Sequence, residues 1–324
     1  EYVGARYVPK FMGAYDVTQE YEALCVVDNG SGTSYITKIP TPAGTPLTDT
    51  NYWAIYGASS GAIINLQNQI DNLPNKMAII DCENPPAPLV ALIPDTNDDN
   101  TSALQALVDY CSSNKKVLLL HGKYAVSGTI TIKGQTNIVG TGGDYSNRDE
   151  EYAFYQSSAI IRRIGTFNGP VFETDPTKNI TGVNISNIGI YGNEVAQYGI
   201  KINRMRHSSI RHISITDVVG TALYLKPNGT SISDDNIMQN VFEQIYINRC
   251  YDGLYLGDNS NGNCYDNLFI EIRCDVFHVA GIFEGGDNNT FIHLSWYGRG
   301  SAADSYAWHL DGAGFVSNVF YHLQ

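Results

Sequence analysis

The segment Ile185-Ser-Asn-Ile188-Gly-Ile190 returns as Ile210-Arg-His-Ile213-Ser-Ile215, Phe242-Glu-Gln-Ile245-Tyr-Ile247, Phe269-Ile-Glu-Ile272-Arg-Cys274 and Phe291-Ile-His-Leu294-Ser-Trp296, and Phe320-Tyr-His-Leu323 begins it again. The starts lie 25, 32, 27, 22 and 29 residues apart. A second block follows most copies: Gly199-Ile-Lys-Ile202, Ala222-Leu-Tyr-Leu225, Gly253-Leu-Tyr-Leu256, Gly281-Ile-Phe-Glu284 and Ala307-Trp-His-Leu310. Alternating apolar residues that recur at this period indicate short strands, and no copy can bury its apolar side alone. Successive copies must therefore stack into one continuous core. The expected fold is all-β dominated, a parallel β-solenoid. At ~4.8 Å per coil, six coils make a rod about 30 Å long.

Stacking converts the repeat into columns. The two middle positions of the first block lie between inward residues and are expected on an exposed arc: Asn187, His212, Gln244, Glu271, His293 and His322 beside Ser186, Arg211, Glu243, Ile270, Ile292 and Tyr321. Glu243 and Glu271 then stand one coil apart, with His293 on the next coil. Glycosidases use two carboxylates ~5–5.5 Å or ~6.5–9.5 Å apart, and neighbouring coils supply such separations. These three are the candidate catalytic residues, against the alternative that they are solvated face residues. The second block is read as an outer column of Lys201, Tyr224, Tyr255, Phe283 and His309. Tyr224, Tyr255 and Phe283 are candidate sugar-stacking groups, or else packing covered by loops or another subunit. In the same alignment Glu284 either faces inward or marks an early strand end before Gly285-Gly286.

Composition agrees with a turn-rich β chain. Charged residues make up only 16%, while Gly (31), Asn (29) and Tyr (22) are abundant. Gly and Asn supply the positive-φ positions that tight turns need. The net charge of −13, with no basic stripe, argues against a nucleic-acid partner. Apolar runs such as Leu89 to Ile93 are far too short to span a bilayer, so no membrane insertion is expected. The six Cys are scattered without a C-x-x-C pair, which removes zinc ribbons and thioredoxin-like motifs and leaves reduced, buried thiols as the expectation. No metal or cofactor is expected. The chain opens Glu-Tyr-Val without Met and stops inside a repeat, so it is expected to be a processed or excised piece that continues beyond Gln324.

Upstream, residues 1–57 form an aromatic-rich β module with a hairpin around Asp28-Asn29-Gly30-Ser31-Gly32. Its aromatics, Tyr35 and Trp53 among them, either fill a small core or present a sugar-stacking face. Ile63, Leu66, Ile70 and Leu73 make an apolar seam on a short helix, so 58–75 is expected to be a helical neck. Residues 76–100, with Pro85, Pro86, Pro88 and Pro94, are linker-like. A helix at about 101–112 carries Leu104, Leu107, Val108 and Cys111, capped by Thr101 or Asn100. Asp95, Asp98 and Asp99 lack the Gly and distal Glu of an EF-hand and suit helix capping better than calcium. Residues 101–324 are the expected β-helix domain.

Two resemblances bear on these segments. The run from Tyr2 to Phe11, with Tyr21-Glu22-Ala23-Leu24, Ser34-Tyr35 and Tyr52-Trp53, resembles a small module of phage and prophage tail proteins, and more distantly chitin-binding-type modules. The order acidic loop, helix, Val117 to Leu120, His121-Gly122-Lys123-Tyr124, Thr129 to Lys133 and Gly140-Thr141-Gly142-Gly143 resembles the entry of the pectate-lyase-like superfamily. There a helix caps a right-handed parallel β-helix, expected here from roughly residue 115; His121 stands where Pro is common. No Asn-Thr-Asp or Arg-Ile-Lys signature of polygalacturonases or pectate lyases is present, so no active site comes with the fold.

Together these resemblances imply a tailspike-like adsorption protein of a phage or prophage that engages host cell-surface polysaccharide, with or without degrading it. The implied assembly is a homotrimer on a virion, joined to other tail or neck proteins. The alternatives are a secreted polysaccharide lyase or hydrolase with an accessory carbohydrate-binding module, and a purely structural tail component.

Overall fold

Each copy of the repeat forms strands whose hydrogen bonds run from coil to coil. The computed structural model describes residues 9–31, 33–56, 78–142, 159–228, 236–257, 263–298, 306–310 and 315–324. The expected neck at 58–75 lies outside them. Two compact units result, Glu1–Lys76 and Met77–Gln324. The first holds a four-stranded sheet of Lys10–Ala14, Cys25–Asp28, Ser34–Thr37 and Trp53–Ile55, of which the first pair is parallel and the others antiparallel. The second is a parallel β-helix built from an eleven-, a seven- and a six-stranded sheet.

The first block lies in the long sheet, where Ser209–Thr216, Val241–Cys250, Leu268–Val276 and Thr290–Gly298 pair in parallel. Identical positions face one another: Ile213 opposite Ile245, Ile245 opposite Ile272, Ile272 opposite Leu294. All four are at most 1% exposed. Phe242, Phe269, Phe291 and Phe320 form an offset stack inside, with centroids 4.8, 4.7 and 4.6 Å apart. All six Cys are buried free thiols, as small apolar fillers tend to be.

The segment expected as a linker contributes to this solenoid. Ile79–Asp81 pairs in parallel with Val117–Leu120, and Cys82 and Leu92 join the core. Its prolines hid a three-residue strand. Next comes α1, Thr101–Asn114, which buries Leu104, Leu107, Val108 and Cys111. The Asn100 side chain makes no cap bond to this helix; it binds the Ile93 backbone and the Asp98 carbonyl instead. Asp99 accepts from the Thr101 N–H and the Ser127 N–H, each at 3.0 Å, and from the Ser127 hydroxyl at 2.6 Å. Burial raises its carboxyl, but these hydrogen bonds outweigh burial and bring it to about 2. No helix among the described residues is long and apolar enough to cross a membrane.

One buried column was not anticipated. Asn240, Asn267, Asn289 and Asn318 stand two residues before each Phe of the first block. The Asn240 N–H donates to Asn267 Oδ1 at 3.1 Å, Asn267 to Asn289 at 3.0 Å and Asn289 to Asn318 at 2.9 Å. Their Nδ2 groups donate to the carbonyls of Met205, Ile237, Cys264 and Gly286 at 2.8–3.0 Å. A buried turn leaves backbone groups without water, and these amides satisfy them coil by coil. The signal was present in the spacing, as N-x-F-x-x-[I/L] repeated four times.

Candidate functional site

In each long strand one residue of the first block takes a left-handed conformation: Asn187, His212, Gln244, Glu271, His293 and His322, with φ between 50° and 63°. The chain bends there, and the residue is skipped in the ladder while its neighbours stay paired. This bend is why two consecutive side chains both face outward between inward Ile and Phe residues. For residues other than Gly and Asn the conformation costs about 1–2 kcal/mol. The coil pays the same cost at its other corner, where His207, Gln239, Asp266 and Ser317 have φ of 49–55°. The strain therefore belongs to coil geometry and does not by itself mark a site.

The two outward columns form a strip. Arg211, Glu243, Ile270, Ile292 and Tyr321 are in direct register. Arg211 Nη1 lies 3.4 Å from Glu243 Oε2. Beside them, Gln244 Nε2 donates to Glu271 Oε2 at 2.9 Å, and the rings of His293 and His322 stack at 4.9 Å with 16° between planes. Glu271 and His293 thus occupy neighbouring coils of one column, and Glu243 stands in the adjacent column one coil before Glu271. All three are half-buried. Tyr321, 58% exposed, and Ile292, 37% exposed, supply an apolar surface at the histidine end. Half-exposed carboxylates next to imidazoles and an open aromatic ring can exchange protons and carry a sugar face. Arg249 Nε is engaged with Asp217 Oδ1 at 2.7 Å.

The second block is corrected by register. Lys201, Tyr224 and Tyr255 share a column, but Tyr255 pairs with Ile282, and Leu256 pairs with Phe283. A shift of one residue exchanges the faces of a strand. Phe283 is therefore inward and fully buried, packed on Phe291 and Phe320. Gly281 makes the room: a Cβ there would lie 2.6 Å from Trp308 and 2.8 Å from Phe283. The strand Val279–Phe283 ends before Glu284, which is exposed and accepts a short hydrogen bond from the Tyr255 hydroxyl.

Tyr255 is itself covered. Its ring stacks on Tyr224 at 4.6 Å, Lys226 Nζ sits 5.6 Å from its centroid, and only 8% of the residue is exposed. Neither Tyr255 nor Phe283 offers a free face to a sugar, whereas Tyr224 is half-buried. Burial also pushes the Tyr224 phenol up to about 12. In the N-terminal unit Trp53 is a core residue, 2% exposed and packed on Tyr15 and Tyr21, and Tyr35 packs half-buried against that core. The aromatic group that column reasoning passed over as a stacking residue is Tyr321. Its signal was its place beside His322.

No family model matches the sequence, and no curated protein matches it. Solved structures resemble it in fold. A tailspike protein, gp49, from Acinetobacter baumannii bacteriophage Fri1, a capsular polysaccharide depolymerase, superposes with a TM-score of 0.50 at 14% identity, covering 94% of this chain and 56% of that one. ORF18 of Geobacillus virus E2 gives 0.41 at 14% identity, covering 94% and 69%. The A-module of the Azotobacter vinelandii mannuronan C-5 epimerase AlgE6 gives 0.42 at 13%, covering 63% and 56%. The chain thus spans about half the length of the gp49 and epimerase structures. At such identities the gp49 likeness establishes the β-helix fold and nothing beyond it.

Proposed function

We propose that this chain is the carbohydrate-engaging part of a phage or prophage tail appendage, a tailspike-like protein that adsorbs to host cell-surface polysaccharide. The glycan lies along the corner strip of Glu243, Glu271, His293, His322 and Tyr321. The observation that carries this reading is the strip itself, where every coil presents two adjacent outward side chains and acids, imidazoles and an open aromatic ring fall together. The gp49 spike, whose fold this chain shares, acts on capsular polysaccharide and suggests the substrate class. Tyr321 takes the stacking role first expected of Tyr255 and Phe283. In a cleaving protein Glu271 and His293 move the proton and Glu243 is the second carboxylate. The Arg211–Glu243 ion pair favours a second reading, adsorption without cleavage, because one of the two acids is already engaged. The proposed assembly is a homotrimer on the virion, for which light scattering should give three times the chain mass.

The test uses purified host-surface polysaccharide with Tyr321→Ala, Glu243→Gln and Glu271→Gln, reading binding and the release of new reducing ends or unsaturated uronates. Tyr321→Ala should weaken binding about two- to thirteenfold, the effect of ~0.5–1.5 kcal/mol for one aromatic contact. Glu271→Gln should bind but release nothing. Variants that bind and cleave like the parent place the site elsewhere.

A further inference from the structure

A second cluster of chemically capable side chains lies at the first coil, away from the strip. The strand Ile79–Asp81 runs in register with Val117–Leu120, so Asp81, Cys82 and Glu83 leave one strand end beside His121 and Gly122 leaving the other. Asp81 Oδ1 lies 2.7 Å from His121 Nε2, and Glu83 Oε1 lies 3.5 Å from His121 Nδ1. Ligand atoms of Asp81, Cys82 and His121 all fall within 4.8 Å of one another. The buried Tyr124 hydroxyl sits 2.9 Å from Cys82 Sγ and donates to Glu83 Oε1 at 2.8 Å. Asp81 Oδ1 also accepts from the Glu83 N–H at 2.9 Å, and Oδ2 accepts from Asn84 Nδ2 at 3.2 Å. Gly122 keeps the space open, since a Cβ there would stand 2.8 Å from the Tyr124 hydroxyl and 3.0 Å from Glu83 Oε1.

We propose that Asp81, Cys82 and His121 form a three-ligand site for a zinc-type divalent metal ion. One sulfur, one nitrogen and one carboxylate oxygen match the mixed three-ligand sets that zinc accepts with bonds of ~2.0–2.3 Å, a water taking the fourth position. Calcium and magnesium take oxygen donors and are disfavoured by the thiol and the imidazole. Each donor already has an outer partner: Tyr124 for Cys82, Asn84 and the Glu83 N–H for Asp81, and Glu83 Oε1 at the Nδ1 side of His121. Such partners fix ligands before the ion arrives. On binding, Cys82 Sγ–H gives its proton to solvent and the thiolate bonds the metal. His121 would bind through the Nε2 lone pair as the neutral tautomer, its proton held on Nδ1 beside Glu83 Oε1. Because the thiolate and the neutral imidazole are the binding forms, affinity should fall as the medium becomes more acid. The ion would tie residues 81 and 82 to 121 at the start of the solenoid.

The experiment titrates Zn²⁺ into the chelator-stripped chain by calorimetry and records the absorption of the Co²⁺ form. The expected result is one equivalent bound, a tetrahedral cobalt spectrum and a thiolate-to-cobalt charge-transfer band. Cys82→Ser should lose that band, His121→Gln should weaken zinc at least tenfold, and Tyr124→Phe should weaken it about tenfold through orientation alone. Where Cys82→Ser fails to fold, Asp81→Asn, on a half-buried residue, gives the same affinity readout. A stripped parent chain that takes up no zinc at micromolar concentration overturns the proposal whatever the variants do. So does zinc uptake that Asp81→Asn and His121→Gln leave unchanged, because the ion then binds elsewhere.

Discussion

Two corners of the same coils use the same backbone bend and opposite chemistry. At one, Gln239, Asp266, Asn288 and Ser317 turn the chain and are each followed by an Asn of the buried ladder. At the other, Gln244, Glu271, His293 and His322 turn it in the open, followed by Ile or Leu. The first corner must satisfy backbone groups sealed from water, and a short side-chain amide at that place donates and accepts at once. The second has water to meet its polar groups, so its side chains vary from coil to coil. Stability constrains one edge of the solenoid and leaves the other open to recognition.

Four substitutions should separate the sealed corner from the open one. Phe269→Ala empties the middle of the aromatic stack and should cost about 3–5 kcal/mol in chemical denaturation. It sets the scale for an apolar loss two residues from the ladder. Asn267→Ala strands the Asn240 N–H and the Ile237 carbonyl, both bonded to Asn267, while Asn240 Nδ2 keeps its bond to the Met205 carbonyl. With ~1–2 kcal/mol for each of these two buried groups left unpaired, the expected cost is about 2–4 kcal/mol. A loss under ~1 kcal/mol would mean that water enters the ladder and that the two corners are alike.

The third change is at an exposed polar contact that does carry stability. The Asp99 carboxyl titrates near 2 in the folded chain and near 3.9 in the unfolded one, so its contribution is present above ~3.9 and is lost as pH falls toward about 2. Asp99→Asn should remove that part of the acid-unfolding profile, a difference of about 1 kcal/mol or less because the group is exposed. The smallest effect is expected from Gln244→Ala at the open corner. It deletes a hydrogen bond to Glu271 and should shift stability by no more than about 0.5 kcal/mol.

The first block of the repeat was legible because Ile, Leu and Phe at fixed offsets leave one way to bury them all. The second block was legible until Gly281-Ile-Phe-Glu284, where an alignment on glycine slipped by one residue and placed Phe283 outside. Sequence spacing cannot see that Gly281 makes room for Phe283 and Trp308, whereas the paired register can. The Asn ladder was visible in principle, since its offset from Phe is constant. The left-handed column was not, because Gln244 and Glu271 carry no composition signal for positive φ and interrupt the run of Asn and His that do. The strand Ile79–Asp81 was masked by its proline-rich surroundings. Of the site, Glu243, Glu271 and His293 were read from columns alone; their partners Arg211, Gln244 and His322 became evident only with side-chain geometry.

The coil starts are separated by 22 to 32 residues, yet the residues of the first block stay opposite one another in these long strands. Pairing is blind to how much chain lies between the strands. An inserted or deleted stretch in one connection changes what projects from that edge without moving the residues on the neighbouring edge. A lineage carrying this architecture can therefore try new surfaces one loop at a time, while the scaffold beneath them keeps its alignment.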